Sequence, residues 1–291
     1  MRSIFHRALF LAIGLLATLA AAVAVPAARA GEPFIIVAST SSTQNSGLFD
    51  HILPLFFELS GIDVRVLAVG TGQAVRLAQN GDADILFVHH RPSEEKFVAE
   101  GFGVRRYAVM YNEFLLVGPA ADPAGIAALP GAAAALAKIA EASAPFVSRG
   151  DDSGTHKREL ALWRQAGVDI AASSGSWYRE SGSGMGATLN IAAAMAAYAL
   201  ADSGTWLNFN NRQGLAALLS GDPLLFNPYG VILVDRDRHP HVKSALGQRF
   251  IDWLISPAGQ AAIDSFTING ERAFTADARA DIVAPGQKQS E

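Results

Sequence analysis

The sequence predicts an α/β protein in which a mostly parallel sheet is wound with helices, built as one large or two medium lobes. Three observations predict it. Short apolar runs alternate with helical patterns, hydroxyl- and glycine-rich turns follow several of those runs, and about 260 residues remain once a leader is set aside.

The leader comes first. Residues 1–30 carry Arg2 and Arg7, the apolar run ALFLAIGLLATLAAAVAV, Pro26 and the small-residue pattern Ala28, Arg29, Ala30. Positive charge, apolar core and A-x-A site in that order read as a cleaved secretory signal peptide, so the mature chain is expected to start near Gly31 and to work in the periplasm. With no cysteine in the chain, neither a lipid at the cleavage site nor a disulfide is expected. Removing Arg2, Arg7 and Arg29 from 23 basic residues leaves 20 against 27 acidic ones, a formal charge of −7. That balance argues against nucleic acid as a partner. No second long apolar segment follows residue 30, so nothing after it is expected to span a membrane.

The elements then follow in order. FIIVAS (34–39), VRVLAV (64–69), DILFVH (84–89) and EFLLVG (113–118) are rich in branched residues and bounded by polar or glycine turns, as buried strands are. Between the first two, GLFDHILPLFFEL sets Leu48, Ile52, Leu55, Phe56 and Leu59 at helical spacing, and Gly61 supplies the stop. The Pro- and Ala-rich stretch 118–136 marks a composition shift where one lobe hands over to the next. The pattern resumes with PFVS (145–148), a helix over 154–166, SWYRE (176–180) and an Ala-rich helix over 186–200. A long extended stretch covers 222–235, two helical segments follow, and the polar tail after Ala278 is expected to fray.

Four turns carry the chemistry. ASTSSTQNSG, VGTGQA, SRGDDSGTH and SGSGMGAT each lead into a helical pattern, and the first three each follow a strand. In a wound sheet the turns at the carboxyl ends of strands gather at one crevice, where ligands bind. Helix N-termini there offer unsatisfied N–H groups and the positive ends of dipoles. One such turn is an ordinary helix start, and Arg149 beside Asp151 and Asp152 could be an ordinary ion pair. Four together point to an anion site in which neutral amides, hydroxyls and one guanidinium do the binding.

Two other chemistries fit poorly. Ser153 and His156 share a helix face, but Ser153 as an N-cap turns its oxygen toward the helix N–H groups, and no G-x-S-x-G elbow surrounds it. His89 and His90 are neighbours on a strand, so one should face the cleft and the other the core, while His239 and His241 flank Pro240 in a surface loop.

The longer motifs carry a resemblance. STSSTQNSGLFDHILPLF, VGTGQAVRLAQNGDADILFVHH, EEKFVAEGFGVRRYAVMYNEFLLVGP, DPAGI, FVSRGDDSGTHKRELALW and NPYGVI, spread over residues 34–235, resemble the TupA family of tungstate-binding proteins of ABC importers. The resemblance implies a type II periplasmic binding protein fold: two α/β lobes, a two-strand hinge, and the ligand closed between them. It implies lobe I from residues 31–116 plus 227–291 and lobe II from 117–226, with YNEFLLVGP and LLFNPYGVIL as the crossing segments.

It also implies the oxyanion ligands: Thr40 and Ser41 in the first turn, Thr71 in the second, and Ser148, Arg149, Ser153, Gly154 and Thr155 in the third. Which hydroxyls of residues 39–43 touch the ligand stays open. No cofactor, no resident metal and no enzymatic activity are implied; tungsten enters only as the bound oxyanion. The partners implied are tungstate or molybdate and an inner-membrane ABC permease, with the protein a monomer. An oxyanion sensor or scavenger for molybdate- or sulfate-type dianions is the alternative. This sequence departs from the family in its first turn, where serines and an asparagine replace threonines and an aspartate, and in HHRPS, which puts Arg91 near the cleft.

Inorganic phosphate keeps a proton near neutrality, and similarity to the phosphate-binding periplasmic proteins implies that a site specific for it has a carboxylate acceptor after its third strand; here that place reads Val88, His89, His90. A donor-only site suits fully deprotonated dianions: sulfate, molybdate and tungstate. Arg149 adds a charge-assisted contact.

Overall fold

The computed structural model describes residues 33–283. The expected signal peptide lies outside the described residues.

β1 (Phe34–Thr40), β2 (Asp63–Val69) and β3 (Ile85–Val88) form where the sequence places its apolar runs. β1 lies between the other two and runs parallel to both. α1 (Ser41–Asn45) and α2 (Leu48–Ser60) follow β1, α3 (Thr71–Asn80) follows β2, and α4 (Arg91–Ala99) follows β3. Gly61 ends α2 at φ +67°, a left-handed conformation that a side chain would strain, and its N–H caps Phe57. α2 buries Leu48, Phe49, Ile52 and Phe56, whereas Leu55 and Leu59 are 42 % and 71 % exposed. The helix is rotated toward Phe49, and Leu59 sits in its last turn.

β4 (Gly103–Pro119) is far longer than the run that announced it, at 17 residues. Beyond it come α5 (Ala132–Glu141), β5 (Phe146–Ser148), α6 (Gly154–Gln165), β6 (Tyr178–Glu180), α7 (Met185–Met195), β7 (Ala199–Asp202), α8 (Ser203–Asn208) and β8 (Leu215–Leu219). β9 (Phe226–Val234) returns, followed by α9 (Ser244–Ile255), α10 (Pro257–Ser265), β10 (Thr267–Ile268), β11 (Glu271–Arg272) and β12 (Thr275–Val283). Up to Val283 the expected fraying after Ala278 is replaced by pairing of β12 with β4, and the rest of the tail lies outside the described residues.

The main sheet runs β12-β4-β9-β3-β1-β2. The second half of β4 pairs instead with β7 and β8, both antiparallel. The expectation of a mostly parallel sheet is therefore corrected: β1 with β2 and β3, and β5 with β6, are parallel, but every strand that pairs with β4 or β9 is antiparallel. The reason is topological. A chain that crosses out along β4 and returns along β9 must lay the two segments side by side in opposite directions.

Buried apolar side chains gather around both halves of β4. Ile35, Ile52, Phe87, Val109, Val231 and Phe250 belong to one set, and Phe114, Leu136, Phe146, Trp163 and Leu200 to another. Between the sets, Asn112 on β4 faces Asn227 on β9 in register, and the Asn227 amide donates to Asn112 Oδ1 at 2.7 Å. No helix among the described residues is long and apolar enough to cross a membrane.

Candidate functional site

The four turns named from the sequence reach one another. The N–H of Gly154, opening α6, donates to Thr71 Oγ1, opening α3, at 2.8 Å. A Cβ on Gly154 would lie 3.0 Å from His89 Cε1 and 3.2 Å from Thr71 Oγ1, so any side chain there would press on both and glycine eases the close approach of α6. Ser181 Oγ donates to the Arg149 carbonyl at 3.2 Å, tying the fourth turn to the third. Ser41 Oγ lies 4.0 Å from the place a Cβ on Gly184 would take, bringing the first turn to the fourth.

Inside this junction Arg149 is only 2 % exposed. Its Nη2 meets Asp151 Oδ2 at 2.5 Å, but its Nε has no hydrogen-bond partner, and neither has the buried Thr155 Oγ1. A buried donor left unmatched costs about 1–3 kcal/mol. Two such donors beside the Thr71–Gly154 contact form a cluster that an acceptor-rich ligand would complete.

The remaining expected residues are placed differently. Thr40 caps α1: its Oγ1 accepts the Thr43 N–H at 3.2 Å and lies 2.7 Å from Thr43 Oγ1. Ser153 caps α6, accepting the His156 N–H at 3.2 Å, so its oxygen faces backbone rather than the imidazole. Ser148 Oγ accepts the Gly150 N–H at 3.3 Å, inside the turn itself. Burial pushes the Glu159 carboxyl up to about 7, against the hydrogen bonds it receives from Tyr178 and Trp163.

The expected division of one cleft-facing and one core-facing histidine is not seen: both His89 and His90 lie on the wall of one small cavity, and His89 is the more buried. It is buried, stacked on Tyr229 at 4.8 Å, and bonded to Ser42 Oγ through Nε2 and to Asn227 Oδ1 through Nδ1, both at 3.0 Å. Burial, with the nearby Arg149 and His90 charges, lowers its pKa to about 4, so it is neutral near pH 7. His90 instead caps α4 through Ser93. Among the described residues no cluster of His, Asp and Glu could hold a metal ion.

One acid escaped the sequence. Asp202, at the end of β7, is fully buried; its Oδ1 accepts the Thr205 N–H at 2.8 Å and caps α8, while Oδ2 has no partner. Burial raises its pKa, and Arg149 pulls the other way. The expectation of a donor-only site is thus incomplete: a carboxylate acceptor does meet Arg149, from Asp151 rather than from the end of the third strand, and Asp202 adds a buried acid whose charge Arg149 feels.

Beside the junction lies a cavity of about 110 Å³ walled by His89, Gly154, Phe114 and Pro228, with Arg91, Lys157 and Arg158 also on it. These cations give an acidic chain a locally positive approach. A larger cavity of about 560 Å³, against Tyr111, Trp206, Arg212 and Phe226, has none of the four turns on its wall.

The paired crossing strands, the buried clusters around both halves of β4 and the junction of helix starts define the type II periplasmic binding protein fold. Residues 24–258 match the PBP superfamily domain. The tungstate-binding protein TupA of Peptoclostridium acidaminophilum is 45 % identical over 234 residues, covering 80 % of this chain and 81 % of that one. Among solved structures, the tungstate-binding protein TupA from Desulfovibrio alaskensis G20 superposes with TM-score 0.74 at 43 % identity, covering 85 % of this chain and all of that one. The tungstate ABC transporter structure from Geobacter sulfurreducens gives 0.73 at 47 %, covering 80 % and 98 %. The chain belongs to the TupA family of ABC-importer substrate-binding proteins.

Proposed function

We propose that the protein captures tungstate in the periplasm, with molybdate as its close competitor, and delivers it as a monomer to an inner-membrane ABC permease. Lobe I comprises residues 31–116 plus 227–291 and lobe II residues 117–226, and the oxyanion sits where they meet. The observation that carries this reading is the pair of buried, unpartnered donors, Arg149 Nε and Thr155 Oγ1, beside the Thr71–Gly154 contact. Arg149 supplies the charge, Thr71, Thr155 and Ser41 supply hydroxyls, and Gly154 eases the approach. The family's named tungstate binders support the same ligand class. Thr40, Ser148 and Ser153 shape the turns rather than face the anion.

Calorimetric titration of the mature protein with tungstate, molybdate, sulfate and phosphate tests the proposal. Tungstate and molybdate should bind with one site each, sulfate more weakly and phosphate poorly at pH 7. Arg149→Ala should weaken tungstate binding by about tenfold to a few hundredfold, the worth of a buried charge-assisted contact. Unchanged affinity in that variant would remove Arg149 from the site.

A further inference from the structure

The amide of Asn227 fixes more than its own contacts. Its Nδ2 donates to Asn112 Oδ1 at 2.7 Å and points at Tyr229 Oη at 3.4 Å, so its Oδ1 is the atom that faces His89 Nδ1, at 3.0 Å. An amide oxygen only accepts, so with Asn227 in this orientation Nδ1 of His89 carries the proton. The ring is neutral for the reasons given above, with Lys157 and Arg158 on the facing helix and Arg91 on α4 adding further positive charge around its cavity. Nε2 is then a lone pair, and the Ser42 hydroxyl 3.0 Å away must donate to it.

The direction propagates. With its proton committed to His89, Ser42 Oγ accepts from Thr40 Oγ1 at 3.1 Å, and Thr40 Oγ1 accepts from Thr43 Oγ1 at 2.7 Å. Asn227 Nδ2 points on to Tyr229 Oη at 3.4 Å. All six side chains are buried, and donors that follow one sense along a chain, here from Thr43 through Thr40, Ser42, His89 and Asn227, polarise one another. Ser41 stands outside it, half-buried and turned toward Gly184 of the fourth turn.

We propose that His89 is the positioning residue of the first turn: held by Asn227 with its proton on Nδ1, it draws the hydroxyl protons of Ser42 and Thr40 inward and leaves Ser41 as that turn's side-chain donor to the oxyanion. This deepens the oxyanion reading and rests on it for the ligand, but the tautomer can be read without any ligand.

Long-range ¹H–¹⁵N NMR of the ring nitrogens of His89, assigned by comparison with His89→Gln, tests it on the apo protein at pH 7. The expected spectrum shows a protonated Nδ1 and an unprotonated Nε2, and the Nδ1 assignment weakens in Asn227→Leu. A protonated Nε2 would overturn the proposal whether or not tungstate binds. The affinity arm uses tungstate itself. Ser41→Ala should weaken binding by about tenfold, the value of one lost hydrogen bond to a charged group, Ser42→Ala by less than Ser41→Ala, and Ser42→Thr should retain the wild-type tautomer. A larger loss from Ser42→Ala than from Ser41→Ala would also overturn it. Failure of every protein to bind tungstate, with the Nδ1 tautomer intact, would reject the oxyanion reading and Ser41's role in it while leaving the hydrogen-bonded chain.

Discussion

Thr71 and Gly154, 83 residues apart in sequence, are joined by a 2.8 Å hydrogen bond in which the first N–H of α6 donates to the hydroxyl that opens α3. Thr71 follows a strand of the main sheet, and Gly154 follows the short β5 strand on the far side of the crossing strands. Their contact brings the two helix starts together, and the hydrogen side chain of Gly154 eases it.

Gly154→Ala tests that closeness. The new methyl would sit 3.0 Å from His89 Cε1 and 3.2 Å from Thr71 Oγ1, and relieving such overpacking costs about 1–3 kcal/mol. Tungstate affinity should fall by about five- to a hundredfold, measured by calorimetry. The melting temperature without ligand should fall too, by about 2–4 °C for each kcal/mol, because the same contacts exist before the ligand binds. An unchanged affinity would mean that the contact is not part of the bound state.

Asp202 places a buried carboxylate near Arg149, and its burial raises its pKa. Asp202→Asn keeps the acceptor that caps α8 and removes the charge. A nearby charge in a partly desolvated site is worth on the order of 1 kcal/mol, so tungstate should bind about fivefold more tightly to the variant at pH 8. The advantage should shrink as pH falls, because the wild-type acid then takes up its proton. Weaker binding at pH 8 would show that the carboxylate accepts a hydrogen bond needed for binding.

Much of this was legible in the sequence, and the parts that were not have specific causes. The strands at 34–39, 64–69 and 84–89 are uninterrupted apolar runs ending in polar turns, and the structure places β1, β2 and β3 there. The first half of β4 carries Arg105 and Arg106, which disguise it; Arg106 is in fact buried against Glu94 at 2.6 Å. The helix expected to reach residue 200 stops at Met195, because Ala196 takes a left-handed conformation at φ +49° with no glycine to announce it. That stop creates β7, and β7 carries Asp202 inward. His89 was legible as one of two adjacent histidines, but its partner Asn227 lies 138 residues away and only the fold brings them together.

Glu159 offers a test of stability rather than binding. Its native pKa of about 7, against an ordinary 4.5, means the folded state holds a proton that the unfolded state has lost. The stability this gives is complete below about pH 4.5 and is lost as pH rises through 7. Glu159→Gln keeps Oε1 for Tyr178 and Trp163, so the variant should gain on wild type with rising pH, by on the order of 2–3 kcal/mol at pH 8. His89 is common to both proteins and cancels in the comparison. Urea unfolding at pH 5 and pH 8 measures it, and a constant difference would place the titration elsewhere.

Closure makes its own demand. A ligand held between two lobes should favour the closed form, and at a hundredfold excess over Kd it adds about 2.7 kcal/mol to stability. Tungstate should raise the melting temperature and reduce the radius of gyration in solution scattering. A thermal shift without compaction would indicate that the lobes are already closed before the ligand arrives.

The most direct test of the central claim is an anomalous difference map at the tungsten edge from crystals of the mature protein grown with tungstate. The account expects one strong peak, enclosed by Arg149, Thr71 and Thr155 and within hydrogen-bonding reach of Arg149 Nε through an oxo group. A single peak elsewhere, such as in the cavity beside Trp206 and Tyr111, or no peak at saturating tungstate, would contradict it.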